Sequence, residues 1–185
     1  MPPTQIAELI GQILGVITII LGVLATQFPK RWQILLVFTA LNFLTVFNQL
    51  LVGSGYASAL GCAVATIHCP INAYKAKKEL PTHLLENVLW SAVYFAAWGL
   101  GVYLTVRDGT ASWLDVWTLL GTVTFLGSVF VKKERDVRLF TFANSLSYCI
   151  YNALNLNVAA VSQVLTMISV VIALIRYRET KNKES

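Results

Sequence analysis

A chain of 185 residues that is 56% hydrophobic and 12% charged, with a mean hydropathy of +0.65, does not meet water over most of its surface. A soluble domain carries about 25% charged residues. The formal charge of +5 is spread over short loops between apolar runs, a placement that serves membrane topology and argues against a nucleic-acid partner. Three cysteines, Cys62, Cys69 and Cys149, lie inside apolar runs without a CxxC or Cys/His grouping, so neither a disulfide framework nor a metal or other cofactor is expected.

A membrane helix needs roughly 20 mostly apolar residues, and seven such runs use nearly the whole chain. The opening, MPPTQIAELIGQ, has no Lys or Arg. It lacks the positive start of a cleaved signal peptide, so its apolar run is expected to stay as the first span, residues 5–26. Gly11 and Gly15 form a GxxxG pair, with Gly22 one heptad beyond; small faces of this kind let helix backbones approach closely. Phe28-Pro29-Lys30-Arg31 makes a basic turn, since Pro29 lacks the N–H that would continue the helix. The second span covers 32–51, and Val52-Gly53-Ser54-Gly55 is a glycine turn. The third, 56–74, is rich in small residues and carries His68, Pro70 and Asn72 before the basic loop of Lys75, Lys77 and Lys78.

The fourth span, 84–106, places Trp90, Tyr94 and Trp98 at four-residue steps, an aromatic ligand platform or, as the favoured expectation, a packing or lipid-facing stripe. After the polar loop Arg107-Asp108-Gly109-Thr110 comes the fifth, 113–131. Lys132-Lys133-Glu134-Arg135-Asp136 leads to the sixth, 137–156, and Asn157 marks a tight turn into the seventh, 158–175. A basic tail closes the chain. With the N-terminus outside, 13 of the 14 Lys and Arg fall on the inner side and only Arg107 falls outside. That asymmetry fixes the expected orientation as N-out and C-in. The carboxyls of Glu8, Glu86 and Asp115 sit near helix N-termini, where the helix dipole favours them, so no proton coupling is built on them.

The expected fold is therefore an all-α integral membrane protein of seven transmembrane helices. Residues 1–78 form one triple-helix unit, 79–112 a linker helix with its loops, 113–178 a second triple unit and 179–185 a cytoplasmic tail. Three spans, one span and three spans put both triplets in one orientation, the parallel-repeat topology of SWEET transporters. Short echoes accompany it: Leu21-Gly22 with Leu126-Gly127, Asn42 and Leu44 with Asn144 and Leu146, and Phe47-Asn48 with Tyr151-Asn152.

The basic turn Pro29-Lys30-Arg31, the run Gly53-Ser54-Gly55-Tyr56-Ala57-Ser58 and the basic turn from Lys132 to Arg138 before an Asn-containing aromatic helix resemble the YgjV-type bacterial inner-membrane proteins. That resemblance covers most of the chain. It implies a bacterial inner-membrane location and a fold distantly related to the PQ-loop and SWEET group. The chain departs from those carriers: it has no Pro-Gln motif and no interior proline in its first, second, fifth or sixth span, so hinge-driven rocking by their mechanism is in question.

Polar side chains inside a bilayer face the bundle or a cavity. Asn144, Tyr148 and Asn152 lie at i, i+4 and i+8 of the sixth span, with Tyr151 and Asn155 alongside; Asn42, Thr45 and Gln49 share a face of the second, and Ser162, Thr166 and Ser169 a face of the seventh. Asn42, Asn144, Tyr148 and Asn152 are the candidate solute-binding residues. Interhelical hydrogen bonding, worth about 0.6 kcal/mol per pair, is the competing explanation for each. His68 is a candidate proton site or a donor to a carbonyl freed by Pro70. There is no G-x-S-x-G, no HExxH and no phosphate-cradling loop, so no catalytic residue is assigned. The partners expected are the lipid bilayer, a small polar solute and a second copy in a homodimer. A non-transporting scaffold or regulator that binds other membrane proteins is the alternative function.

Overall fold

The computed structural model describes residues 3–52, 55–109, 113, 115–154 and 159–183. Among them are seven α-helices: α1 (Pro3–Gln27), α2 (Arg31–Val52), α3 (Tyr56–Lys77), α4 (Leu84–Arg107), α5 (Asp115–Phe130), α6 (Glu134–Leu154) and α7 (Ala159–Lys183). Each expected span corresponds to one helix. The ends differ for physical reasons. α6 starts at Glu134 because Glu134 and Asp136 in its first turn oppose the positive end of the helix dipole. α7 runs on to Lys183, so the expected tail is largely helical. The expectations for Gly53-Ser54, Thr110, Asn155 and Asn157, and for the carboxyls of Glu8 and Asp115, lie outside the described residues.

α2 packs between α1 and α3, and α6 packs between α5 and α7. α1 meets α7 and α3 meets α5, which closes six helices into a ring; α4 lies outside it, against α3 and α5. α1, α2, α4 and α7 are long and apolar enough by themselves to cross a membrane, and α5 contributes a shorter apolar stretch, Trp117–Phe130. α3 and α6 carry the more polar sequences. α6 buries Arg138, Thr141, Ser145, Ser147 and Asn152 while exposing Leu139, Phe140, Leu146 and Leu154. A water-soluble helix does the reverse; here lipid takes the apolar face and the bundle satisfies the polar one.

The α3–α4 connection is set locally. Glu79 adopts a left-handed conformation (φ 55°), and the Leu80 N–H reaches back to the Lys75 carbonyl at 2.9 Å, the closing bond of a helix C-terminal motif usually built on Gly. The turn brings Glu86, in the first turn of α4, into a salt bridge with Lys75 at the end of α3. Further along, Gly101 of α4 lies directly on the backbone of Ala57 at the start of α3. A side chain there meets backbone, which cannot swing aside. Gly101→Ala is expected to lower stability by about 1–3 kcal/mol, as overpacking does. Gly99→Ala, where the added methyl meets nothing within 4 Å, is expected to be neutral or to stabilise by up to about 1 kcal/mol. Thermal unfolding of the two variants in detergent checks the contrast.

Candidate functional site

The interior of the ring is layered, and the layers are easiest to follow from the end where the basic turns gather. Arg31, the first residue of α2, donates from Nη2 to the Val129 carbonyl in the last turn of α5, at 2.5 Å. Arg138, in the second turn of α6, donates from Nε to the Thr26 carbonyl at 3.1 Å and from Nη2 to the Phe28 carbonyl at 2.6 Å. Its guanidinium sits 4.3 Å over the ring of Tyr177, whose hydroxyl donates to the Gln27 carbonyl at 2.6 Å. The acceptors are carbonyls at helix C-termini, which lack intrahelical partners and carry the negative end of the dipole. Glu134 is the acidic group whose field reaches both guanidiniums. Ser169 of α7 completes this layer. It pairs with Thr26 at 2.7 Å, donates to the Val23 carbonyl at 3.0 Å and accepts from the Gln27 amide at 2.7 Å.

The next layer is aromatic and draws on four helices. His68 of α3 stacks on Trp90 of α4 with centroids 4.2 Å apart and meets Tyr94 and Phe130 edge-on at 5.7 and 5.9 Å. Phe125 of α5 lies 6.0 Å from Tyr94 and 6.2 Å from Phe38 of α2. Phe38 stands about 10 Å along α2 from Arg31, at 1.5 Å per residue. Tyr94, 1% exposed, reaches from the outer helix between α3 and α5 into this cluster. The Trp90–Tyr94–Trp98 stripe is thus a packing stripe, and Trp98 adds a bond from its indole N–H to the Thr118 hydroxyl at 3.0 Å. The Tyr94 hydroxyl, His68 Nδ1 and Arg31 Nε are buried polar atoms without a hydrogen-bond partner among the described residues. His68 is held by ring stacking, and its Nδ1 does not engage the carbonyl freed by Pro70.

Beyond the aromatics lie the amides and hydroxyls. Asn144 donates from Nδ2 to the Gly121 carbonyl of α5 at 2.7 Å, with the Thr124 hydroxyl at 3.5 Å. The ring of Tyr148 packs on the same Gly121, and its hydroxyl lies near Ser58 of α3. Asn152 is buried one turn further along α6, and Thr118 and Thr122 of α5 are buried opposite. Asn144 and Tyr148 are therefore brought together at α5. Asn42 stands apart: it is buried on α2 with its amide donating to its own helix at the Phe38 carbonyl, 2.7 Å away. Among the described residues no three His, Cys, Asp or Glu side chains gather as a metal site.

The GxxxG face is used within the chain. Asn48 of α2 donates to the Gly11 carbonyl at 2.7 Å and lies where a Gly15 side chain would be, while Gly22 backs onto Thr166 of α7. Sequence reasoning treated Arg31 and Arg138 only as topology charges and assigned no part to Ser58. The placement of Arg138 four residues into a helix opened by Glu134 was the available signal, because a loop cation has no need of a helical register.

A helical ring with lipid-type residues outside and hydrogen-bonding residues inside defines a multispan α-helical membrane protein. More particularly, the chain belongs to the Imp-YgjV family of bacterial inner membrane proteins, whose model matches residues 9–181, and it is accordingly a protein of the bacterial inner membrane. No curated protein and no solved structure matches it.

Arg138→Gln removes two charge-assisted bonds and a stacking contact. It is expected to lower stability by about 2–4 kcal/mol, whereas Tyr177→Phe, which loses one hydroxyl bond and keeps the ring, should cost about 1 kcal/mol. Equal, small effects in thermal unfolding followed by tryptophan fluorescence would show that the arginine layer does not hold the ring together.

Proposed function

We propose that this protein carries a small neutral or zwitterionic solute across the inner membrane. Its two three-helix units are α1–α3 and α5–α7, joined by α4, with the N-terminus outside and the basic end in the cytoplasm. The packing supports the two-unit reading: exchanging α1 with α5 and α3 with α7 converts the α1–α7 contact into the α3–α5 contact, as a two-fold relation between like units requires. The charge count supports the orientation.

The observation that carries the transport reading is the layering of the ring. Amides and hydroxyls of α3, α5 and α6, buried at Ser58, Thr118, Thr122 and Asn152 and half-buried at Asn144 and Tyr148, lie on the far side of an aromatic layer and an arginine layer. In this reading the structure is closed toward the cytoplasm. Asn144, Tyr148 and Asn152 offer uncharged donors and acceptors that would exchange a carbonyl or hydroxyl of the protein for one of the solute. Asn42, at the edge of the aromatic layer, would meet the solute as it passes. Among the described residues this layer offers amides and hydroxyls, which suit a solute without net charge, since an ion would lose hydration with no charged partner there.

The scaffold reading retains one supporting observation. α4 packs on one side only, and Leu85, Leu89, Val93, Leu100 and Tyr103 are exposed along it. Recovery of a stoichiometric membrane partner by affinity purification, lost on substitution along α4, would favour that function.

A thermal-shift panel of sugars, amino acids, vitamins and nucleosides tests transport first, because a ligand at 100 times its Kd stabilises the folded state by about 2.7 kcal/mol. The expected result is a hit that is lost in Asn152→Ala and Asn144→Ala, with uptake of the same solute into proteoliposomes falling in parallel. Unchanged binding and uptake in both variants would place the solute elsewhere. A flat panel from folded protein would favour the scaffold.

A further inference from the structure

The ring has two seams where one trio of helices meets the other, and they are treated differently. The α3–α5 seam is covered by α4, which inserts Tyr94 and bonds Thr118 through Trp98. At the α1–α7 seam no further described helix packs closely, and a groove of about 380 Å³ runs along it. Its walls are Val23, Leu165, Ile168 and Ile172; Gln27, Ser169 and Arg176 stand toward its basic end.

Three properties of the groove specify its occupant. Both walls belong to helices apolar enough to span a membrane, so the groove opens to hydrocarbon. From Leu165 to Arg176 it extends about 16 Å at 1.5 Å per residue, which matches one leaflet, half of a hydrocarbon core of about 30 Å. Its polarity is graded: aliphatic along its length and cationic at the interface, where Lys30 is also exposed in the adjacent turn. Gln27 and Ser169 turn their polar atoms inward to each other and to α1, and so form a floor. Arg176 already has a partner within the chain, so a ligand there adds to that contact.

We propose that the α1–α7 groove is a binding site for one anionic phospholipid, with an acyl chain along Val23, Leu165, Ile168 and Ile172 and the phosphate beside Arg176. A bound lipid would do at this seam what α4 does at the other, filling the surface between the two trios. The site does not depend on solute transport; only the naming of the leaflet as cytoplasmic rests on the orientation proposed above.

The test is native mass spectrometry of the full-length protein, delipidated and then exposed to mixed micelles of phosphatidylglycerol and phosphatidylethanolamine. The expected result is retention of one phosphatidylglycerol in preference to phosphatidylethanolamine. Arg176→Gln should reduce that preference roughly fivefold, the factor for one basic residue facing an anionic surface. Ile168→Trp, at a position 51% exposed and therefore tolerant of bulk, should abolish retention by filling the groove. Leu89→Trp on the outer face of α4, 59% exposed, should leave it unchanged. Equal retention in wild type and Ile168→Trp, or equal loss in Leu89→Trp, would overturn the site. Displacement by inorganic phosphate would overturn the chain-in-groove arrangement in favour of a head-group contact alone. A dimer dissociated by Ile168→Trp, without retained lipid, would assign the groove to a second copy.

Discussion

The ring depends on two arginines that cross between its halves. Arg31 starts the middle helix of the first trio and is held by the last turn of α5; Arg138 lies in the second turn of the middle helix of the second and is held by the end of α1 and the residue after it. Each ties one trio to the first helix of the other. A guanidinium suits this position because its planar fork can bind two carbonyls in fixed directions and still stack on a ring, as Arg138 does on Tyr177. Cations at helix C-termini also neutralise the partial charge of unpaired carbonyls. One kind of contact thus satisfies the helix ends and sets how the trios are docked.

The aromatic layer depends on that docking. Phe38 and Phe125 come from opposite trios and meet only if α2 and α5 are held in register. Tyr94 then enters between α3 and α5 and is buried completely although its helix lies outside the ring. The polar layer beyond is shaped by glycines. Gly121 leaves its carbonyl open to Asn144 and its missing side chain is replaced by the ring of Tyr148. An alanine at Gly121 would push Tyr148 away from Ser58, so a backbone feature of α5 governs how residues of α3 and α6 meet.

Much of the fold was legible in the sequence because lipid imposes simple demands. Seven apolar runs and the basic turn at Pro29-Lys30-Arg31 report directly on length and chain reversal, whereas Glu134 and Asp136, expected in a loop, open α6. The polar face of α6 was legible by the same logic, since Asn144, Tyr148 and Asn152 share a helical face. What they touch was not. The acceptor for Asn144 is the carbonyl of Gly121, and those for Arg138 are the carbonyls of Thr26 and Phe28. A backbone acceptor leaves no mark on residue type, so the partner of such a donor cannot be read from the chain. The Gly11–Gly15 face shows a related ambiguity. Its small residues announce a close neighbour, and the neighbour is Asn48 of the same chain.

The inverted polarity of α6 bears on how the protein is made. A segment carrying Arg138, Asn144 and Asn152 gains little from entering hydrocarbon alone, because each of these groups leaves water at a cost unless the protein supplies a partner. The groups that remove this cost, the carbonyls of Thr26, Phe28 and Gly121, belong to α1, the turn after it, and α5, all synthesised earlier. Release of α6 into the bilayer is therefore coupled to helices already in place. Chain order suits that coupling: the acceptors of α6 precede it in the sequence, and α7, which follows it, carries the Tyr177 ring that covers Arg138.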